Sequence, residues 1–160
     1  MLLLKKSIIL TTALFILIAS SGIAIADNIK LPEVDGWVNG EVRTTEFNAL
    51  SGYKGNWQER SYRTMNGTRF NAILINGSAA KLWSMAKVSE DKGEVWGGEI
   101  AEETNILGRR ALFEERSVLG ITLVVKIDKG SVLTLESQNA TEKDLAEAAE
   151  KIIQIIETGN

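Results

Sequence analysis

The strongest strand pattern in the chain is the apolar run Ile121 to Ile127, and a second run with interleaved polar positions spans Ser131 to Ser137. Together they predict a β-hairpin around Asp128-Lys129-Gly130, with the glycine at the left-handed position of a three-residue loop. That register sets Val125 opposite Leu133 and Leu123 opposite Leu135, so both strands point one apolar face inward. A second hairpin is predicted where Trp57–Thr64 and Arg69–Ile75 flank Asn66-Gly67. A two-residue Asn-Gly loop would pair Met65 with Thr68, Arg63 with Phe70, Ser61 with Ala72 and Glu59 with Leu74. One face then carries Trp57, Phe70, Ala72 and Leu74, and the other Tyr62, Ile73 and Ile75. Neither face is purely polar, which predicts a sheet covered at least partly on both sides.

Weaker patterns fill the rest. Residues 27–36 hold the only proline, Pro32, and read as an extended lead-in. Trp37–Phe47 alternates loosely as a strand, Leu50–Asn56 reads as a loop because of Gly52 and Gly55, and Glu94–Ile100 reads as a short strand. Asn105–Gly108 is a predicted turn before a strand over Arg110–Arg116, with Ala111 and Phe113 inward. Two helices are expected. The first runs from a Ser78 cap to about Val88, with a stripe of Ala79, Leu82, Trp83, Met85 and Ala86, and stops at residues 89–93. The second begins at Thr141, whose hydroxyl can cap the first turn while Glu142 and Asp144 favour the positive end of the helix dipole. Its Leu145, Ala148, Ala149, Ile152, Ile155 and Ile156 recur at helical spacing and dock it onto a sheet. Strands joined by hairpins, a central helix and a C-terminal helix make an α+β domain on an antiparallel sheet.

The N-terminus changes the picture of where this domain works. Lys5 and Lys6 precede an apolar run from Ile8 to Ala19, and Ala24-Ile25-Ala26 has the small-x-small pattern that signal peptidase accepts. Cleavage after Ala26 makes residues 1–26 a signal peptide and 27–160 a single exported domain, periplasmic or extracellular. The alternative is an uncleaved anchor, because Ser7–Ala26 is long enough to span a bilayer; only then is a membrane a partner.

Composition mainly excludes. The chain has 160 residues, 18 Lys+Arg, 21 Asp+Glu, and neither His nor Cys. Removing Lys5 and Lys6 with the signal leaves 16 basic against 21 acidic residues, a net charge of −5. Without His there is no imidazole base and no Ser-His or Cys-His pair, and without Cys no thiol nucleophile, disulfide or iron–sulfur cluster. The acidic balance argues against nucleic acid as a partner.

Few residues invite chemistry. Ser78-Ala-Ala-Lys81 and Ser84-Met-Ala-Lys87 have the spacing of an acyl-enzyme Ser-Lys site, but the companion elements are missing, and a helix cap beside a solvated lysine explains them. Of the carboxylate pairs Glu33/Asp35, Glu90/Asp91, Glu102/Glu103 and Glu114/Glu115, Glu114 and Glu115 cannot share an acid–base site because adjacent strand residues point to opposite faces, and Glu90/Asp91 lies solvated in a predicted turn. No calcium-loop spacing occurs. No catalytic residue, metal ligand or cofactor is therefore expected. Trp37, Trp57 and Trp96 lie near predicted loops, where an indole can stack on a sugar or fill a partner's pocket, whereas Trp83 reads as core. Arg60, Arg63 and Arg69 project near the first hairpin, as a salt-bridged surface or as a seat for an anionic envelope component.

The stretch RALFEERSVLGITLVVKIDKGSVLTLESQNATEKDLAEAAEKI, Arg110 to Ile152, resembles the last third of small exported domains with a PsbP-like sheet. The resemblance implies that fold and an accessory or assembly role, and transfers no functional residue. The expected function is thus an exported, non-catalytic accessory protein that binds a protein partner at the cell envelope. The alternative is a glycan or small-ligand module using exposed tryptophans.

Overall fold

The computed structural model describes residues 29–81, 100–116 and 120–159. Eight strands form one sheet: β1 (Val38–Asn39), β2 (Arg43–Asn48), β3 (Lys54–Arg63), β4 (Arg69–Gly77), β5 (Ile100–Ile106), β6 (Arg109–Arg116), β7 (Gly120–Lys126) and β8 (Ser131–Ser137). Their order is β1-β3-β4-β8-β7-β6-β5, with β2 also on β3. Every pairing is antiparallel. One helix, α1 (Glu142–Thr158), closes the chain and lies on one face, touching β7, β8 and β5. The architecture is a sheet-rich α+β fold.

The central helix is not shown. Ser78–Lys81 is a single 3-10 turn, and the rest of the expected helix lies outside the described residues, as do Trp83 and most of the strand expected at Glu94–Ile100. Ser78 is the first residue of that turn. Its Oγ accepts from the Lys54 N–H at 2.8 Å and donates to the Lys54 carbonyl at 3.1 Å, tying the turn to β3. The loop expected at Leu50–Asn56 is shorter, because Lys54–Asn56 already belongs to β3.

The β7–β8 hairpin has the expected register, Val125 opposite Leu133 and Leu123 opposite Leu135. Gly130, however, lies outside the left-handed region. The β3–β4 hairpin differs by one residue. Arg63 pairs with Arg69, Tyr62 with Phe70, Arg60 with Ala72 and Gln58 with Leu74. The loop has three residues: the Gly67 N–H donates to the Thr64 carbonyl at 3.0 Å, and the Thr64 N–H donates to the Thr68 carbonyl at 2.9 Å. Gly67 takes φ +90°, the left-handed bulge position that ends such loops. A one-residue slip turns every side chain to the opposite face. Trp57 therefore sits opposite Ile75, on the face away from Phe70, Ala72 and Leu74.

The inner face, under α1, holds the main core. Leu74, Leu123, Val125, Leu133 and Leu135 of the sheet are fully buried with Leu145, Ile152 and Ile153 of the helix. Ile153 extends the expected stripe: it follows Ala149 by four residues and Leu145 by eight, so it shares their side of the helix. Ile155 and Ile156 are only partly buried. The helix starts as expected from Thr141. The Asp144 N–H donates to Thr141 Oγ1 at 3.2 Å and the Thr141 N–H donates to Asp144 Oδ2 at 2.9 Å, a reciprocal capping box. Those bonds from Thr141 hold the Asp144 carboxyl below its usual range. The outer face buries a smaller patch, Ala80, Val124 and Val132 with Ile75 against it.

Candidate functional site

Strand β3 presents two chemically different faces. Inward, every second residue is polar or aromatic: Asn56, Gln58, Arg60 and Tyr62, all buried. Gln58, Arg60 and Tyr62 bind the backbone of the lead-in, while Asn56 Oδ1 accepts from Gln58 Nε2 at 3.3 Å and from Asn76 Nδ2 at 3.0 Å. Gln58 Nε2 donates to the Ile29 carbonyl at 2.7 Å while its Oε1 accepts from the Leu31 N–H at 2.9 Å. Asn76 Nδ2, from β4, also donates to the Ile29 carbonyl, at 2.9 Å. Tyr62 Oη donates to the Pro32 carbonyl at 2.7 Å. Leu31 and Val34, thus held, are buried in the core.

Arg60 completes this ladder. Between Asn39 opposite Tyr62 and Arg43 opposite Glu59, the edge holds Gly40, Glu41 and Val42 against Arg60 and Ser61 of β3. The extra residue is a bulge that joins β1 and β2 into one bent edge. Arg60 Nε donates to the Gly40 carbonyl at 2.8 Å, Nη1 to the Leu31 carbonyl at 3.2 Å and Nη2 to Glu33 at 3.1 Å. At 6 % exposure, Arg60 is not part of a projecting surface. Its guanidinium also lies 5.7 Å from the Tyr62 ring centroid. Burial pushes the Tyr62 phenol up to about 12, even though Arg60 pulls the other way.

Outward, β3 carries Arg63, Ser61, Glu59 and Trp57. Arg63 stands directly opposite Arg69 across the β3–β4 pair, and both are exposed. Neither forms an ion pair with a described residue. They sit at one end of an open groove of about 840 Å³ on the outer face, whose floor includes Ser61, Asn71, Thr122 and Glu136. Like charges directly opposite each other weaken a strand pair, so an anion placed between the arginines stabilises them. Reading the hairpin with a two-residue loop hides this pair, because it puts Arg63 opposite Phe70 and on the other face from Arg69. The threonines at 64 and 68, bracketing a three-residue loop, were the available clue.

The two described tryptophans, Trp37 and Trp57, do not converge. Trp37 is half-buried on the inner side, edge-on to Tyr62 and Phe70 at 5.7 and 5.5 Å between ring centroids. Lys151 Nζ lies 5.3 Å from its ring centroid. A smaller cleft of about 360 Å³ runs beside Trp37 between Met65, Asp144 and Lys151. Trp57 is 42 % exposed on the outer face between Thr45 and Ile75. Trp96 lies outside the described residues, as do Ala24 and Ala26 of the expected cleavage site.

Of the catalytic patterns, Ser78 is engaged with the Lys54 backbone, and Ser84 and Lys87 lie outside the described residues. Glu33 binds Arg60 and Glu103 binds Arg110. Among the described residues there is no group of three or more His, Cys, Asp or Glu able to hold a metal ion, and no helix is long and apolar enough to cross a membrane. Compared with protein-family models, with curated proteins and with solved structures, the chain matches none.

Proposed function

We propose that the protein is an exported accessory domain of the cell envelope, working in the periplasm or outside the cell, which binds a protein partner and catalyses no reaction. The single observation that carries this reading is the opposed Arg63–Arg69 pair at the head of the outer groove, two exposed guanidinium groups with no carboxylate partner among the described residues. Each guanidinium offers a planar fork of donors suited to a carboxylate. On a chain of net negative charge this cationic spot is local rather than general. The export signal and the PsbP-like accessory role belong to the same proposal. Cross-linking in the native host envelope, with the wild type beside an Arg63→Glu/Arg69→Glu variant, tests it. A specific partner that charge reversal releases, from a variant that melts like wild type, supports it. A partner held equally by both overturns the assignment to this face.

The glycan reading has one observation in its favour, the part-exposed indole of Trp57. It needs a second aromatic wall, and Trp37 lies on the opposite side of the sheet. Quenching of the Trp57 emission by cell-wall fragments, lost in Trp57→Phe, would establish it.

A further inference from the structure

The outer groove carries both signs of charge in a fixed order. Arg63 and Arg69 stand at one end. Glu136 on β8 is exposed in the same groove, directly opposite Asn71 of β4 and Thr122 of β7. Arg69 precedes Asn71 by two residues, so Arg69 and Glu136 are diagonal neighbours on one face, with backbones separated by about 7–8 Å. They form no ion pair. Between them and beside them the floor is neutral and hydrogen-bonding: Ser61, Asn71 and Thr122. A dense polyanion laid along this floor meets the arginines at one end and is repelled by Glu136 at the other. A ligand with an anion and a cation about 7 Å apart meets complementary charge at both. In an extended polypeptide, residues i and i+2 are about 6.6–6.8 Å apart and project to the same side.

The geometry points to an extended segment of the partner bearing an acidic residue and a basic residue two positions apart. Its carboxylate lies on Arg69, with Arg63 beside it, and its ammonium or guanidinium lies on Glu136. This inference rests on the protein-partner reading above and specifies the chemistry of that same face. The intervening side chain of the ligand points away from the sheet, so its identity is free.

Short threonine-rich peptides test the arrangement by titration against the isotope-labelled protein, followed by backbone amide shifts. The four carry a Glu-Thr-Lys, a Glu-Thr-Glu, a Lys-Thr-Lys or a neutral centre. Inorganic phosphate and polygalacturonate serve as non-peptide anions. The Glu-Thr-Lys peptide is expected to bind most tightly and to shift amides around Ser61, Arg69, Asn71 and Glu136. Each exposed pairing is a modest one, so Glu136→Gln should weaken this peptide about threefold and Arg63→Gln/Arg69→Gln about tenfold. Glu136→Lys should invert the preference, making Glu-Thr-Glu the better ligand. All of these side chains are exposed, so thermal melts of the variants confirm that the fold is intact. Equal binding of Glu-Thr-Glu and Glu-Thr-Lys by the wild type, or an unchanged preference in Glu136→Lys, overturns the proposal. So does tighter binding of polygalacturonate or phosphate, or no peptide binding at all. If any of these occurs while charge reversal at Arg63 and Arg69 still releases the captured envelope partner, the chemistry assigned to the groove is wrong and the partner-binding reading stands. If charge reversal releases nothing, that reading fails as well.

Discussion

Arg60 and Arg63 stand three residues apart on the same strand and could hardly be placed more differently. Arg60 points inward, where one guanidinium serves two backbone carbonyls and a carboxylate. Arg63 points outward, where another arginine faces it and no described carboxylate pairs with it. Strand alternation alone separates them, since odd and even spacings along a strand lead to opposite faces. The contrast assigns roles. The inner side chains of β3 are spent on holding residues 29–34 against the sheet, and the outer ones are left for something the chain does not itself provide.

Breaking the inner side should cost most. Arg60→Ala strips donors from the Gly40 and Leu31 carbonyls and loosens the lead-in that buries Leu31 and Val34. Orphaned buried acceptors and a lost charge-assisted network should lower stability by about 3 kcal/mol. Arg63→Ala removes an exposed charge facing a like charge, so its effect should stay within about 0.5 kcal/mol of zero. Urea unfolding of the two variants side by side measures both. Comparable losses in the two would mean that the two faces of β3 are not functionally divided.

The same inner ladder predicts an alkaline limit. The Tyr62 phenol titrates at about 12 in the folded protein, against about 10 in an unfolded chain. Below pH 10 both states keep the proton and the full stability is present. Between pH 10 and 12 the unfolded chain releases its proton and the folded one does not, so folding becomes progressively less favourable. Two pH units correspond to about 2–3 kcal/mol at the upper end of that window. Tyr62→Phe loses the bond to the Pro32 carbonyl, about 1 kcal/mol at neutral pH. It should also flatten the stability profile between pH 10 and 12, relative to wild type. A decline equally steep in the variant would assign the alkaline loss to other groups.

How legible these regions were in the sequence follows from what each face is made of. In β7 and β8 the inward residues are leucine and valine, so pattern and register point the same way, and the pairing of Leu123 with Leu135 could be read directly. In β3 the inward residues are Asn56, Gln58 and Arg60, which read as solvent-facing. Gln58 and Arg60 bind the carbonyls of Ile29, Leu31 and Gly40, and a backbone carbonyl leaves no mark on the sequence, while Asn56 accepts from Gln58 and Asn76. Hydrophobic-in, polar-out therefore inverts over half of this strand and places Trp57 on the wrong side of the sheet. The helix was legible because capping at Thr141 and the apolar stripe are local, and Ile153 follows from the same spacing that gives Ile152. At the groove, Arg63 was visible as a surface cation, but its juxtaposition with Arg69 depends on the register. Glu136 comes from a strand more than sixty residues later.

The register is where the smallest predicted effect does the sharpest work. Both hairpins have a three-residue loop ending in glycine, Gly67 in one and Gly130 in the other. They use that glycine differently. Gly67 sits at φ +90° with open space around it, since a Cβ there would meet nothing within 4 Å. Any cost of Gly67→Ala is therefore backbone conformation alone, about 1 kcal/mol. Gly130 is not in the left-handed region, and a Cβ there would meet only Asp128 Oδ1 at an ordinary 3.7 Å. Gly130→Ala should be neutral, or stabilising by about 0.5 kcal/mol because the unfolded chain loses freedom. Thermal melts of the two variants test the difference. If Gly67→Ala were as harmless as Gly130→Ala, the β3–β4 loop would not need its left-handed residue. The two registers part at Asn66, which a two-residue Asn-Gly loop would also hold at φ > 0 and which lies outside that region here; a cost of Asn66→Ala as large as that of Gly67→Ala would point to the register that sends Arg63 and Arg69 to opposite faces and dissolves the groove's cationic end.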